Sequence, residues 1–181
     1  MRLLVAIPHY FGGAGSRARD DQAHGSLGHD PQPRVEALSE CLSALHQQFS
    51  ATQCLINIEQ RVANAVNPAI ASQVDVVVCT HGCDHVLPLL RLPADSFEQR
   101  ESRGDPTRLG FECQRTLRER LGAYDFYAYM EDDLIVRDPW FFLKLSWFCG
   151  QFGDEALLQP NRYEVSRSGL EIGRASCRER V

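Results

Sequence analysis

Three short apolar runs limit what this chain can fold into. Leu3 to Ile7, Asp75 to Thr80 and Phe126 to Met130 each proceed with scarcely a polar break. Such runs read as strands buried on both faces, the pattern of a parallel sheet covered on both sides. Helical patterns separate them. Asp30 and Pro31 offer a cap and a first-turn proline, and Val35, Leu38, Leu42, Leu45 and Phe49 then share one stripe at 3.6-residue spacing. His46 on that helix reads as a solvated surface residue. Gln53 to Ile58 is expected as a further strand, and Gln60 to Ala71 as a possible second helix weakened by Pro68.

Residues 91 to 109 carry Pro93, Gly104, Pro106 and many charges, and read as a loop. Leu109 to Leu121 reads as a helix ended by Gly122, with Phe111, Leu117 and Leu121 inward and Arg115, Arg118 and Arg120 mostly outward. Asp138 and Pro139 open a last helix that runs to Phe152 and is closed by Gly153. It is apolar nearly all round, so deep packing is expected, with Trp140 and Trp147 in the core. Strands alternating with helices give an α/β fold with a mostly parallel central sheet flanked by helices. Right-handed crossovers would line the strands' C-terminal ends along one edge.

The chemistry concentrates in Tyr124 to Asp138, where an apolar and aromatic run ends in Glu131, Asp132 and Asp133. On a strand, residues i and i+2 share a face. Glu131 and Asp133 would point one way and Asp132 the other. Two carboxylates on one side of a strand end suit a hard divalent cation, which prefers oxygen ligands and could hold a diphosphate. An acidic turn that merely ends a strand and caps the next helix uses the same residues.

Pro8, His9 and Tyr10 stand at the C-terminal end of the first strand, the edge where open α/β sheets bind ligands. The loop from His9 to Asp30 is rich in glycine but is neither a phosphate-binding P-loop nor a dinucleotide fingerprint, because the spacing fails both. Residues 14 to 28 read as a flexible surface loop. Cys79, His81, Cys83 and His85 crowd into one turn, but the spacing does not match two separated zinc-ligand pairs, so a polar strand-end turn is expected.

A net charge of −5 argues against a nucleic-acid partner and gives no reason to expect an anionic membrane. No apolar run reaches the roughly 20 residues needed to span a bilayer, and MRLLVAIPHY is too short for a secretory signal. A cytoplasmic location with reduced cysteines follows; the seven cysteines are scattered and odd in number. Leu170 to Val181, LEIGRASCRERV, break the style of the chain and look like a translated vector sequence. The domain is therefore expected over residues 1 to 169, as a fragment of a longer protein, with 170 to 181 non-native.

In order and content these features resemble a nucleotide-sugar glycosyltransferase of the A-type fold (glycosyltransferase family 2-like). The matching pieces are Leu3 to Tyr10, Gly110 to Leu121, and Phe126 to Asp133 in YDFYAYMEDDLIV, followed by the Asp-Pro-Trp helix start. The resemblance covers residues 1 to about 165 and implies a single Rossmann-like domain. It also implies an acidic Asp-x-Asp-type motif holding Mn²⁺ or Mg²⁺ on a nucleoside diphosphate sugar, the sugar passing to a hydroxyl acceptor. Asp133 would be the direct metal ligand. Glu131, which stands where the family has Asp, would contact the ribose or a metal-bound water. Pro8, His9 and Tyr10 would border the base and ribose. Arg115 could reach the diphosphate, although a solvated helix arginine fits equally. No catalytic base is assigned, because that part of the family's site usually lies beyond the metal motif. Two other readings use the same residues: a non-catalytic, truncated nucleotide-sugar-binding remnant, and a metal-dependent phosphohydrolase or nucleotidyltransferase.

Overall fold

The computed structural model describes residues 1–12, 28–50, 53–68, 71–165 and 172–174, and the loop reading for 14–28 lies outside them except at Gly28. The chain forms two compact units, Met1–Pro139 and Trp140–Val181.

In the first unit the apolar run at the N-terminus forms β1 (Arg2–His9). It is followed by α1 (Gln32–Leu45) and a π turn over His46–Ser50. Next come β2 (Cys54–Asn57), β3 (Val62–Ala65), β4 (Gln73–His81), β5 (Glu98–Ser102), α2 (Leu109–Glu119) and β6 (Phe126–Tyr129). Among the described residues, four strands make one parallel sheet in the order β5-β4-β1-β6. The chain steps outward from β1 to β4 to β5, then returns to the other side of β1. The strand order therefore reverses between β1 and β6, and crossovers of one hand place α1 and α2 on opposite faces. This is the expected α/β architecture, a parallel sheet flanked by helices and compatible with a Rossmann-like fold.

The sheet is the core. Leu4 and Ala6 of β1 and Val77 and Cys79 of β4 pack with Leu109 and Cys113 of α2. Leu3, Val5 and Ile7, with Val74, Val76 and Val78 in register beside them, bury the other face. In α1, Leu38, Cys41, Leu42 and Leu45 form a buried stripe, and Asp30 Oδ1 accepts the Gln32 N–H at 2.9 Å ahead of it.

Five local expectations are corrected. Gln53 to Ile58 contains the expected strand, β2, outside the main sheet, but among the described residues of 60 to 71 no helix forms. β2 and β3 pair antiparallel as a separate hairpin whose link includes Arg61 at φ +53°. Val62, Val66 and Pro68 disfavour the helix expected there. The supposed loop at 91–109 contains β5, whose charged sequence hides a strand paired on one side by β4. In α2 the buried row is Leu109, Cys113 and Thr116, with Leu117 beside it. Phe111 is 66 % exposed, and Leu121 is exposed too. The row was hard to read because Cys113 and Thr116 are small or polar; Thr116 satisfies its hydroxyl by donating to the Glu112 carbonyl at 2.8 Å. His46 is half-buried rather than solvated, with Nδ1 on Ser50 Oγ at 3.0 Å and Nε2 on the Ser96 carbonyl at 2.6 Å.

The fifth correction lies in the second unit. α3 (Phe141–Phe152) forms where expected and stops at Gly153, φ +56°. It is not deeply packed, however: Trp147 is 64 % exposed, Trp140 is also exposed, and only Phe142 of the helix is buried. An all-round apolar sequence buries only the side that something covers. β7 (Tyr163–Val165) pairs antiparallel with β8 (Ile172–Arg174), so part of the suspect tail is paired. Among the described residues no helix is long and apolar enough to cross a membrane.

β5 is tied to α2 by charge: Arg100 Nη1 meets Glu119 at 2.5 Å, and Arg120 Nη2 meets Glu98 at 2.7 Å.

Candidate functional site

The parallel ladders of β1 end at different heights. Its pairing with β4 runs to His9 opposite Thr80, whereas its pairing with β6 stops at Ala6 opposite Tyr129. One more bond, Met130 N–H to the Ala6 carbonyl at 3.1 Å, closes that side. Beyond it β6 leaves the sheet at the point where the strand order reverses. Ligands of open α/β sheets bind outside the carboxyl ends of the strands at such a reversal.

Parity decides what faces it. His9 lies on the same side of β1 as Leu3, Val5 and Ile7, away from the α2 cluster. It is buried, and its Nδ1 lies 2.6 Å from Asp132 Oδ2. The Val86 N–H donates to His9 Nε2 at 3.2 Å. A nitrogen that accepts carries no proton, so the ring proton sits on Nδ1 and is donated to Asp132. Val86 is held by a tight turn after β4, in which Asp84 N–H donates to the His81 carbonyl and Gly82 takes φ +48°.

Arg34 completes the cluster. It occupies the N-terminal end of the α1 stripe, four residues before Leu38, and its Nη2 contacts both oxygens of Asp132. Its Nη1 lies 3.9 Å from Asp133 Oδ2. Asp132 is only 6 % exposed. Burial pushes its carboxyl up, but the His9 hydrogen bond and the Arg34 charge outweigh that and hold it below the usual carboxylate value. The Cys41 thiol donates weakly to the Glu131 carbonyl at 4.0 Å. Burial, then Asp132 and Asp133, push that thiol up to about 12.

The acidic triplet therefore sits on a turn, not on the strand. Glu131 and Asp133 are exposed and Asp132 is buried, the split that strand alternation anticipated, although β6 has already ended at Tyr129. Pro8 and Tyr10 are half-buried at the end of β1, Tyr10 with its ring 6.3 Å from that of His81. Arg115 lies on the solvent side of α2, paired with Glu112 and, at 3.7 Å, with Glu119. The structure thus brings His9, Asp132, Arg34 and Asp133 together and leaves Arg115 with its helix neighbours. Arg34 escaped the sequence reading. The signal was an arginine in helical register with Leu38, Cys41 and Leu45, where a long side chain can reach past the end of the helix.

Among the described residues no group of three His, Cys, Asp or Glu side chains is arranged to hold a metal. Both oxygens of Asp132 are engaged, by His9 and Arg34. Asp133 and Glu131 are exposed carboxylates on the same turn. A magnesium-type cation keeps most of its waters and would need only one or two such carboxylates plus substrate phosphates. No protein-family model, curated protein or solved structure matches this chain.

Proposed function

We propose that this chain binds a nucleoside diphosphate sugar at the strand-order reversal between β1 and β6 and transfers the sugar to a hydroxyl acceptor, as an A-type glycosyltransferase. One observation carries the reading: the acidic turn after β6 stands across the strand-order reversal from Pro8, His9 and Tyr10. Pro8 and Tyr10 border the base and ribose. Asp133, with Glu131 beside it, holds the Mn²⁺ or Mg²⁺ ion. When bound, the cation neutralises charge developing on the diphosphate leaving group. His9 and Arg34 keep Asp132 ionised and turned inward, which leaves Glu131 and Asp133 as the outward carboxylates.

A second reading, donor binding without turnover, draws on the same cluster. His9 and Asp132 are buried and engaged with each other, with Val86 and with Arg34, so neither is placed to take a proton from an acceptor. Calorimetric titration of UDP- and GDP-sugars with Mn²⁺, then with EDTA, tests what the readings share. Metal-dependent binding that disappears in Asp133→Ala supports them. Binding that survives both EDTA and the substitution refutes the metal assignment. Release of UDP or GDP with an acceptor mixture then separates transfer from binding.

A further inference from the structure

We infer that Arg34 is a positioning residue: acting through Asp132, it fixes the direction of the turn that presents Glu131 and Asp133. What that turn holds rests on the nucleotide-sugar reading; what holds the turn rests on geometry alone.

Three successive carboxylates repel one another, and the Met130 bond to Ala6 is where this segment leaves the β1 ladder. The Leu134 N–H to Glu131 carbonyl bond, at 3.3 Å, closes the turn on itself without aiming it. The aim comes from the Asp132 side chain, which plugs inward between His9 of β1 and Arg34 of α1. The Arg34 Nη2 contacts both Asp132 oxygens. Nη1 is thereby left beside Asp133, at 3.9 Å, and buried Nε has no hydrogen-bond partner among the described residues. The guanidinium holds the middle acid in and sets its positive charge beside the third. A lysine ammonium is a point charge and cannot span both. Such supporting groups commonly matter as much as the ligands they orient.

The test uses the full chain with Arg34→Met, Arg34→Lys and the double variant Arg34→Met/Asp132→Asn. The double variant removes both charges but keeps an acceptor for His9. Two quantities are read: hydrogen exchange at the Met130 and Leu134 amides, which donate to the Ala6 and Glu131 carbonyls, and affinity for UDP with Mn²⁺. In Arg34→Met the turn amides should exchange at least about tenfold faster, and affinity should fall about 10- to 100-fold. Arg34→Lys should stay close to Arg34→Met. The double variant should regain global stability, because no unpaired buried charge remains, while its turn amides stay fast. Unchanged turn exchange in folded Arg34→Met would overturn the assignment. So would a double variant in which slow turn exchange returns along with stability, since Arg34 would then only balance charge. If the wild type binds no UDP while exchange behaves as expected, the nucleotide-sugar reading falls and the positioning role stands.

Discussion

His9 and Asp132 lie 123 residues apart in the chain and meet at 2.6 Å, Nδ1 to Oδ2, where β1 and β6 part. The pair, closed by Arg34, welds the ends of two neighbouring strands to the first turn of α1. Both acid and guanidinium are largely buried, so removing one partner strands the other. Asp132→Asn should therefore destabilise the fold by about 3 kcal/mol, as breaking buried ion pairs does. Urea denaturation at neutral pH measures it, and a loss near zero would show that the pair contributes nothing net.

The same carboxylate sets an acid limit. Burial opposes its ionisation, but His9 and Arg34 win, and its folded pKa lies below the usual value of about 3.9 for an unfolded aspartate. The stabilisation is therefore present in full above that value and is lost as pH falls through the depressed folded pKa. Urea midpoints between about pH 5 and 2 should fall less steeply in Asp132→Asn than in the wild type. Parallel curves would remove Asp132 from the account.

Cysteine reactivity should divide by burial. Cys54, Cys83 and Cys149 are exposed, whereas Cys41, Cys79 and Cys113 are buried. Thiolate is the reactive form, and the Cys41 thiol is pushed up to about 12, chiefly by burial. Brief alkylation of the native protein at mildly alkaline pH should label the first three and spare the second. Peptide mass spectrometry reads the result, and early labelling of Cys41 would contradict the packing of α1.

The α2 row gives a paired test. Leu109→Ala should cost about 2 to 4 kcal/mol, because the side chain is buried between α2 and the sheet. Phe111→Ala should change stability by no more than about 0.5 kcal/mol, since the ring is exposed. Equal losses would restore Phe111 to the core.

What the sequence disclosed follows from what local pattern can carry. Leu3–Ile7 and Val76–Val78 are buried on both faces, so their apolar continuity announced β1 and β4. Leu38, Leu42 and Leu45 announced α1 by period. β5 was hidden because an outer strand needs apolar residues on neither face, and Glu98–Ser102 has none. Trp140 and Trp147 misled because hydrophobicity reports what a side chain prefers, not what is present to cover it. At the site, strand alternation separated Asp132 from Glu131 and Asp133, but the partners of Asp132 lie 98 and 123 residues away. An ion pair that closes across such a distance leaves no local period to read.

The charged sequence of β5 has one more effect. Among the described residues this strand borders the sheet, with one row of backbone groups facing outward. Another molecule of the same chain could try to zip onto that row. Antiparallel docking centred on Arg100 would set it against its own copy, and parallel docking in register would set Glu98 against Glu98 and Glu101 against Glu101. Either approach brings like charges face to face. The border that looked like a loop thus disfavours pairing with a copy of itself on this side of the sheet.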